Sequence, residues 1–404
     1  MFAQSDFQGS THLLSMEDDV INYSKAADTG PIPRLQKRID FGDVRLTFDQ
    51  KFGYLPSMLR HLNVSPAGQM LVFSKTSFQR ERIAPNTPRA LYVGDDIYIG
   101  FVQGSKLLEI SSVDPVLGSV FYTLEQKPME RPKFIRTDNC TECHASAKSM
   151  GVPGHLVRSF KCDESGIVDL LSGADYVNHR TPLSDRWGGW YVTGTHGSQV
   201  HRGNLMGEAA FARQEREPNW RGNVQDLKPF FDTSQYLEPG SDIVALMVME
   251  HQAHMHNYLT RLQYEARQKI AAYGHVDYLK NQAEGFVRYL LFAEEVPLTA
   301  PIRGNLEYAR WLESQGPHDS KGRSLRQLDF QTRMFKYPCS YLIYSEAFDA
   351  LPEALKARIY KRLWEVLSGN DTTGHFETLS ATNRRAIIEI LWETKKGLPS
   401  FWRI

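Results

Sequence analysis

The stretch IYIGFVQGSKLLEISSVDPVLGSVFYTL, residues 97–124, decides the fold class of this chain. Turn-forming pairs such as Gly104-Ser105 and Asp114-Pro115 divide it into short runs rich in β-branched and aromatic residues. Counting the sequence just before it, five runs share this composition: 70–74, 90–93, 97–102, 107–110 and 120–124. Such runs, separated by glycine, aspartate and proline, are typical of antiparallel hairpins. The sequence therefore predicts a β-rich region over residues 66–130.

Helical patterns occupy the second half of the chain, from about residue 241. Ser241 or Asp242 is suited to cap a helix that runs to about Tyr273, and a further helix is predicted over 276–294. Three residues mark the ends of two later helices: Pro352 at a first helical position, Gly369 as a C-cap and Ser380 as an N-cap.

The overall prediction is an α+β fold, with a β-hairpin-rich N-terminal part and a mainly α-helical C-terminal half. Four regions follow along the chain: an irregular N-terminal arm (1–65), the β-rich region (66–130), a region of long loops rich in glycine and histidine (131–240) and the helical region (241–404). These regions are compatible with one continuous domain.

Charge and hydropathy narrow the classes of partner. The 47 Lys and Arg residues balance the 47 Asp and Glu residues, so no net field favours nucleic acid or an anionic membrane surface. No apolar run is long enough to predict a transmembrane segment.

Cys140-Thr141-Glu142-Cys143-His144 is the motif that carries chemistry, because C-x-x-C-H is the spacing of c-type haem attachment. Two thiols at this spacing can add across the two vinyl groups of a haem, and the following histidine can bind the iron. A redox dithiol, a zinc site and a strained disulfide are the alternatives. The remaining cysteines, Cys162 and Cys339, are either a pair or separate buried thiols.

On these five residues the chain resembles c-type cytochromes. The resemblance implies one covalent haem c on Cys140 and Cys143, with His144 as axial ligand and metal-binding residue, a redox role and export. The rest of the sequence departs from the small soluble cytochromes, which are compact helical units of about a hundred residues with the motif near the start. The resemblance therefore concerns haem attachment and names no subfamily.

Export predicts a periplasmic or otherwise extracytoplasmic location and an N-terminal signal peptide. Residues 1–5 lead directly into polar sequence, so no signal peptide is visible in this numbering. Phe2-Ala3 before Gln4-Ser5 could be the remnant of a cleavage site. The alternative is a cytoplasmic protein without covalent haem.

The sixth position of the iron decides between functions, and histidines are its candidate ligands or proton-transfer groups. The four candidates are His155, His196, His251 and His254. Arg158 and Arg186 are candidate partners for the haem propionates, which need cationic neighbours. Each of these six could equally be structural, as a hydrogen-bonded core histidine or a solvent-facing arginine.

The predicted function is that of an exported mono-haem redox protein. The chain is large for one haem, which favours a haem oxidoreductase acting on a small molecule, with an electron-transfer protein as partner, over a simple carrier. A haem-based sensor without turnover, or a zinc or dithiol protein without haem, is the alternative.

Overall fold

A seven-stranded antiparallel sheet organises the first half of the protein, in a computed structural model that describes residues 13–217 and 222–402. The described strands are β1 Met70–Val72, β2 Arg89–Val93, β3 Ile97–Phe101, β4 Leu107–Asp114, β5 Gly118–Glu125, β6 Phe134–Arg136, β7 Arg158–Ser159, β8 Asp175–Tyr176 and β9 Trp190–Tyr191. The sheet has the order β6-β5-β4-β3-β2-β1-β9, while β7 and β8 form a separate pair. The meander predicted over 66–130 is confirmed, and β6 and β9 extend it at its two edges.

Alternation along the strands gives this sheet two different faces. The arm face is apolar and includes Leu108, Ile110 and Val120, which pack with the N-terminal residues. The opposite helix face carries Tyr98, Ser111 and other polar or aromatic side chains, which meet His256 of the helical region and His155 of the loop region.

The N-terminal arm is more regular than the predicted irregular segment. It contains α1 Pro31–Phe41 and α2 Leu55–His61, and both contribute buried side chains to the core beneath the arm face. Pro31 suits the first turn of α1, and Gly42 ends the helix with a φ of 84°. Ile32, Leu35 and Ile39 form a buried stripe at helical spacing, so packing against the sheet stabilises a helix that begins with two prolines.

The helical half follows the prediction closely, and with the sheet it makes the α+β fold. Two short helices precede it in the loop region, α3 Thr141–His144 and α4 Gly207–Arg216. Its own helices are α5 Ile243–Tyr273, α6 Lys280–Leu290, α7 Leu306–Ser314, α8 Glu346–Asp349, α9 Glu353–Leu367 and α10 Ala381–Thr394. No helix among the described residues has both the length and the apolar character needed to cross a bilayer.

Two helix ends agree with the predicted caps at Asp242 and Ser380, whereas Pro352 is the N-cap of α9 rather than its first residue, and Ser368 instead of Gly369 is its C-cap. The Asp242 carboxylate accepts a hydrogen bond from the backbone N–H of Ala245 (2.8 Å), and the Ser380 hydroxyl accepts one from the backbone N–H of Asn383 (3.1 Å). The helix predicted over 276–294 is shorter, because the chain leaves helical geometry after Leu290 and Phe292 adopts a φ of 53°.

Helix α5 is the central element, since every residue from Ile243 to Ala266 except His254 is buried. It crosses the helix face near the β2–β3 and β4–β5 turns. There the Gln252 side chain donates to Gly94 O (2.7 Å) and the Tyr264 hydroxyl donates to Leu117 O (2.9 Å). Sheet residues on the helix face, such as Met70 and Tyr98, belong to the same hydrophobic cluster as the helices, so the helical region does not stand apart from the β-rich one.

A buried ion pair joins the loop region to this helix. The Arg186 guanidinium pairs with the Glu250 carboxylate, and both side chains are at most 2% exposed. The Trp187 indole N–H donates to the same carboxylate (3.1 Å), and the Arg186 Nε–H donates to Thr181 O (2.8 Å). A buried charge of this kind is tolerated because each partner is matched, and removing one leaves the other uncompensated.

Replacing Arg186 with methionine is therefore expected to lower the free energy of unfolding by about 3–5 kcal/mol. In the double variant Arg186→Met/Glu250→Leu no buried charge is stranded, so most of that loss should be recovered. Urea unfolding followed by circular dichroism measures both.

The exposed pair Arg213–Glu217 on α4 supplies the control, because Arg213→Met should change stability by no more than about 0.5 kcal/mol. A loss in Arg186→Met as small as in the control would contradict the assignment of a buried, coupled pair.

Candidate functional site

The C-x-x-C-H motif forms a single helical turn above the helix face of the sheet. Cys140 precedes α3, and the backbone N–H of His144 donates to Cys140 O (2.9 Å). The chain reaches this turn from edge strand β6, and the N–H of Thr137 donates to Phe121 O on β5 (2.9 Å). The turn is thereby tied to the strands beneath it.

Both motif thiols are free and lie one turn apart, so they project from the same side of α3. Cys143 is exposed and Cys140 is half-buried. Burial, and next the nearby carboxylate of Glu109, raise the pKa of Cys140 to about 11. Cys140 is therefore a neutral thiol at physiological pH.

His144 is held in one tautomer. Its Nδ1 lies 2.9 Å from the carbonyl oxygen of Gly154, and since a carbonyl can only accept, Nδ1 carries the proton. The backbone N–H of Gly154 donates in return to His144 O (2.8 Å), and the ring rests against Phe121 with its centroid 5.2 Å away. Within the described residues no side chain hydrogen bonds to Nε2. Metal-ligating histidines commonly show this arrangement, with one nitrogen fixed by an acceptor and the other left for the metal.

Two arginines and a glutamate lie near the motif. Burial is the main cause that lowers the pKa of His144, and the charges of Arg89 and Arg158 lower it further. Arg89 on β2 forms an ion pair with Glu109 on β4 (2.7 Å). The pair spans Gly100 of β3, and a methyl group on Gly100 would lie 2.3 Å from the Arg89 guanidinium. The lowered pKa keeps the imidazole neutral, as a metal ligand must be.

The two predicted propionate partners, Arg158 and Arg186, lie in different environments. Arg158 on β7 stays a candidate, since it lies near the motif and its guanidinium stacks on the Phe160 ring at 5.0 Å without an ion pair among the described residues. Arg186 has a different environment. Its guanidinium is buried, its charge is matched by the Glu250 carboxylate, and it donates to Thr181 O and His179 O, so a propionate would have to compete with these partners.

His155 is close to the motif but is fully engaged. Its Nε2 is 2.8 Å from the Ser111 hydroxyl, its Nδ1 is 3.1 Å from the Ser119 hydroxyl, and its ring stacks on Tyr98 at 3.7 Å. Burial holds its pKa well below the usual value, so the ring is neutral. With both nitrogens hydrogen bonded, His155 has a structural role in this conformation.

The structure does not bring the other three candidate histidines to the motif. His251 is hydrogen bonded to His179 (Nδ1 to Nδ1, 2.8 Å) and to the Ser340 hydroxyl through Nε2 (2.8 Å). His254 packs on Tyr289, at 4.7 Å between ring centroids. The Nδ1–H of His196 donates to Gln199 O (2.7 Å). These side chains line the packed interior between loops and helices because the long loops fold onto α5.

This geometry gives little support to the two alternatives without haem, a redox dithiol and a zinc site. A reactive dithiol needs a cysteine with a lowered pKa, whereas the pKa of Cys140 is raised. Across residues 13–217 and 222–402, no group of three or more His, Cys, Asp or Glu side chains is placed to hold a metal ion. Cys162 and Cys339 are both buried free thiols and do not pair.

Sequence reasoning missed Arg89, Glu109 and the acceptor role of Gly154. A signal for the first two was present, because strict alternation in β2 and β4 places both charges on the face opposite the apolar one. The contact between Gly154 O and His144 Nδ1 has no sequence signal, since any carbonyl at a loop reversal could supply it.

The four thiols are expected to react with iodoacetamide in a definite order in the haem-free protein. Cys143 should react first because it is exposed, and Cys140 more slowly because its pKa is raised to about 11. Cys162 and Cys339 should react only after denaturation. Peptide mass spectrometry over time measures the order, and equal rates at Cys140 and Cys143 would contradict it.

Replacing His251 with glutamine is expected to reduce the loss of unfolding free energy that the native protein shows as the pH falls. Burial, and next the charge of His254, hold the pKa of His251 well below the usual 6.5. The unfolded chain therefore binds a proton that the folded state does not, and stability is lost as pH falls below about 6.5, by up to about 1.4 kcal/mol per pH unit for one such group.

The quantity to measure is the difference in unfolding free energy between the native protein and His251→Gln at several pH values. It should fall as pH drops from 7 towards 5, and His375→Gln is the control for replacing an exposed histidine. Parallel profiles for both variants would show that His251 does not titrate as assigned.

Comparison with protein-family models, curated proteins and solved structures gives no match. The function proposed below therefore depends on the residues of this chain and their geometry.

Proposed function

We propose that this chain is an exported mono-haem c-type redox protein, with haem c attached through Cys140 and Cys143 and with His144 as axial ligand. The observation that carries the proposal is the state of His144. Its Nδ1–H donates to Gly154 O, which leaves the lone pair of Nε2 available for a metal, and two free thiols lie on the same turn.

The local chemistry fits this cofactor. Haem c would supply reversible one-electron chemistry at its iron and, with an open sixth position, binding of a small ligand. Cys143 is accessible to a vinyl group, and Arg158 and Arg89 place positive charge near the motif, as the propionates require. Glu109 balances Arg89, so Arg158 is the better candidate for a propionate.

The reaction class follows from the sixth position. His155 and His251 have both ring nitrogens hydrogen bonded, which supports an iron whose sixth site is open to a small molecule. This favours a haem oxidoreductase with an electron-transfer protein as partner over a carrier closed by a second histidine. A sensor without turnover would share the open site and differ only in lacking a catalysed reaction.

Covalent attachment through C-x-x-C-H is expected to require export to a compartment with haem-maturation machinery. The predicted signal-peptide remnant at residues 2–5 lies outside the described residues, so export remains a proposal from the motif.

The test is expression of the chain, exported and together with haem-maturation machinery, followed by acid-acetone extraction. The haem should stay with the protein, and the mass should rise by one haem. Cys140→Ala/Cys143→Ala should lose covalent haem entirely, while Cys162→Ala, a free thiol elsewhere, should keep it. Haem that extracts from the native protein, or that survives in the double variant, would overturn the proposal.

The spectrum of the reduced holoprotein then separates the functional classes. A high-spin spectrum that changes with carbon monoxide is expected for an open sixth site, and a low-spin spectrum that carbon monoxide leaves unchanged would show the closed carrier instead.

A further inference from the structure

We propose that Asn257 of α5 is a positioning residue for His144, acting through the peptide that joins Gly154 to His155. Asn257 does not touch the motif. It hydrogen bonds to the peptide whose carbonyl oxygen accepts from His144 Nδ1–H. It therefore sets the strength and direction of the hydrogen bond between His144 and Gly154. The inference rests on the proposed function, because its consequence is the tuning of an axial ligand.

The hydrogen bonds form one continuous chain through a single peptide unit. His144 Nδ1–H donates to Gly154 O (2.9 Å), and the N–H of the same peptide, on His155, donates to Asn257 Oδ1 (2.8 Å). The amide of Asn257 also donates from Nδ2 to His155 O (2.7 Å). These two opposite contacts fix which end of the amide is oxygen and leave the Asn257 side chain one orientation.

The packing around this peptide leaves no room for another arrangement. A methyl group on Gly154 would lie 2.2 Å from Asn257 Oδ1, so residue 154 must be glycine for the amide to approach. Asn257 is buried at 3% exposure, which removes water as a substitute partner. The chain of contacts therefore depends on this side chain alone.

The electrostatic consequence has a definite sign. Hydrogen bonds in a chain polarise one another, so an acceptor on the peptide N–H strengthens the carbonyl at its other end. A stronger acceptor at Nδ1–H makes the imidazole a better electron donor through Nε2. Better donation stabilises the oxidised iron, so Asn257 lowers the reduction potential of a haem bound by His144.

Two variants of Asn257 separate positioning from mere packing. Asn257→Leu removes the acceptor for His155 N–H while keeping similar bulk, and should move the reduction potential of the holoprotein in the positive direction. Asn257→Asp keeps an acceptor oxygen at that N–H and, as a protonated carboxyl, can still donate to His155 O, so it should hold the potential at the native value. Thr260→Val, one turn further along α5, is the control, since the Thr260 hydroxyl bonds only within the helix, to His256 O.

A second measurement needs no haem. In the haem-free protein with ¹⁵N-labelled histidine, the ring of His144 should be in the Nδ1–H tautomer, and Asn257→Leu should shift part of the population to the Nε2–H tautomer. Asn257→Asp and Thr260→Val should retain the native tautomer. A structural role would lower stability in Asn257→Leu without moving either the tautomer or the potential.

The outcomes are distinguishable. If Asn257→Leu has the native tautomer and the native potential, the inference fails while the proposed function stands. If the native protein takes up no covalent haem, the proposed function fails, and the tautomer measurement still decides whether Asn257 positions His144. If Asn257→Leu does not fold, a native tautomer and potential in Asn257→Gln, whose longer side chain cannot make both contacts with residue 155, overturn the inference.

Discussion

The peptide unit between Gly154 and His155 is the contact on which the arrangement of this site depends. One side of it faces the motif and the other faces the central helix, and both sides are occupied by hydrogen bonds. A glycine is required on the motif side, because a side chain there would collide with the Asn257 amide. These hydrogen bonds thus connect the motif to α5, the most deeply buried element of the fold, although the motif itself is a single turn near the surface.

That central element explains why a polar interior is tolerated. The buried surface of α5 carries Glu250, His251 and Asn257 among its apolar residues, and each meets a specific partner from a loop. Buried polar groups cost free energy unless they are hydrogen bonded, so these loops cannot vary independently of the helix. The glycine- and histidine-rich segment is therefore better described as the polar lining of α5 than as a set of connections.

Fold class was predictable because it depends on local patterns. The hairpins over 66–130 and the caps at Asp242 and Ser380 agree with the structure, since turn residues and capping side chains act over a few positions. The arm was mispredicted because the short stripe of α1 is stable only against the sheet. The partners of the candidate histidines could not be predicted, because Ser111 and Ser340 come from strands and loops far along the chain. Such long-range pairing has no signature in one sequence.

The two hydrogen bonds between His144 and Gly154 also bear on the order of events during folding. They close a loop of only ten residues, and loops of that size close in tens of nanoseconds. The hydrogen bond between Asn257 and His155 joins residues 102 positions apart, and closing this larger loop costs more conformational entropy. The attachment segment can therefore acquire its shape while the central helix is still distant. The contact between His144 and Gly154 can thus be sampled early in folding, and the arrival of α5 with Asn257 then fixes it in the folded protein.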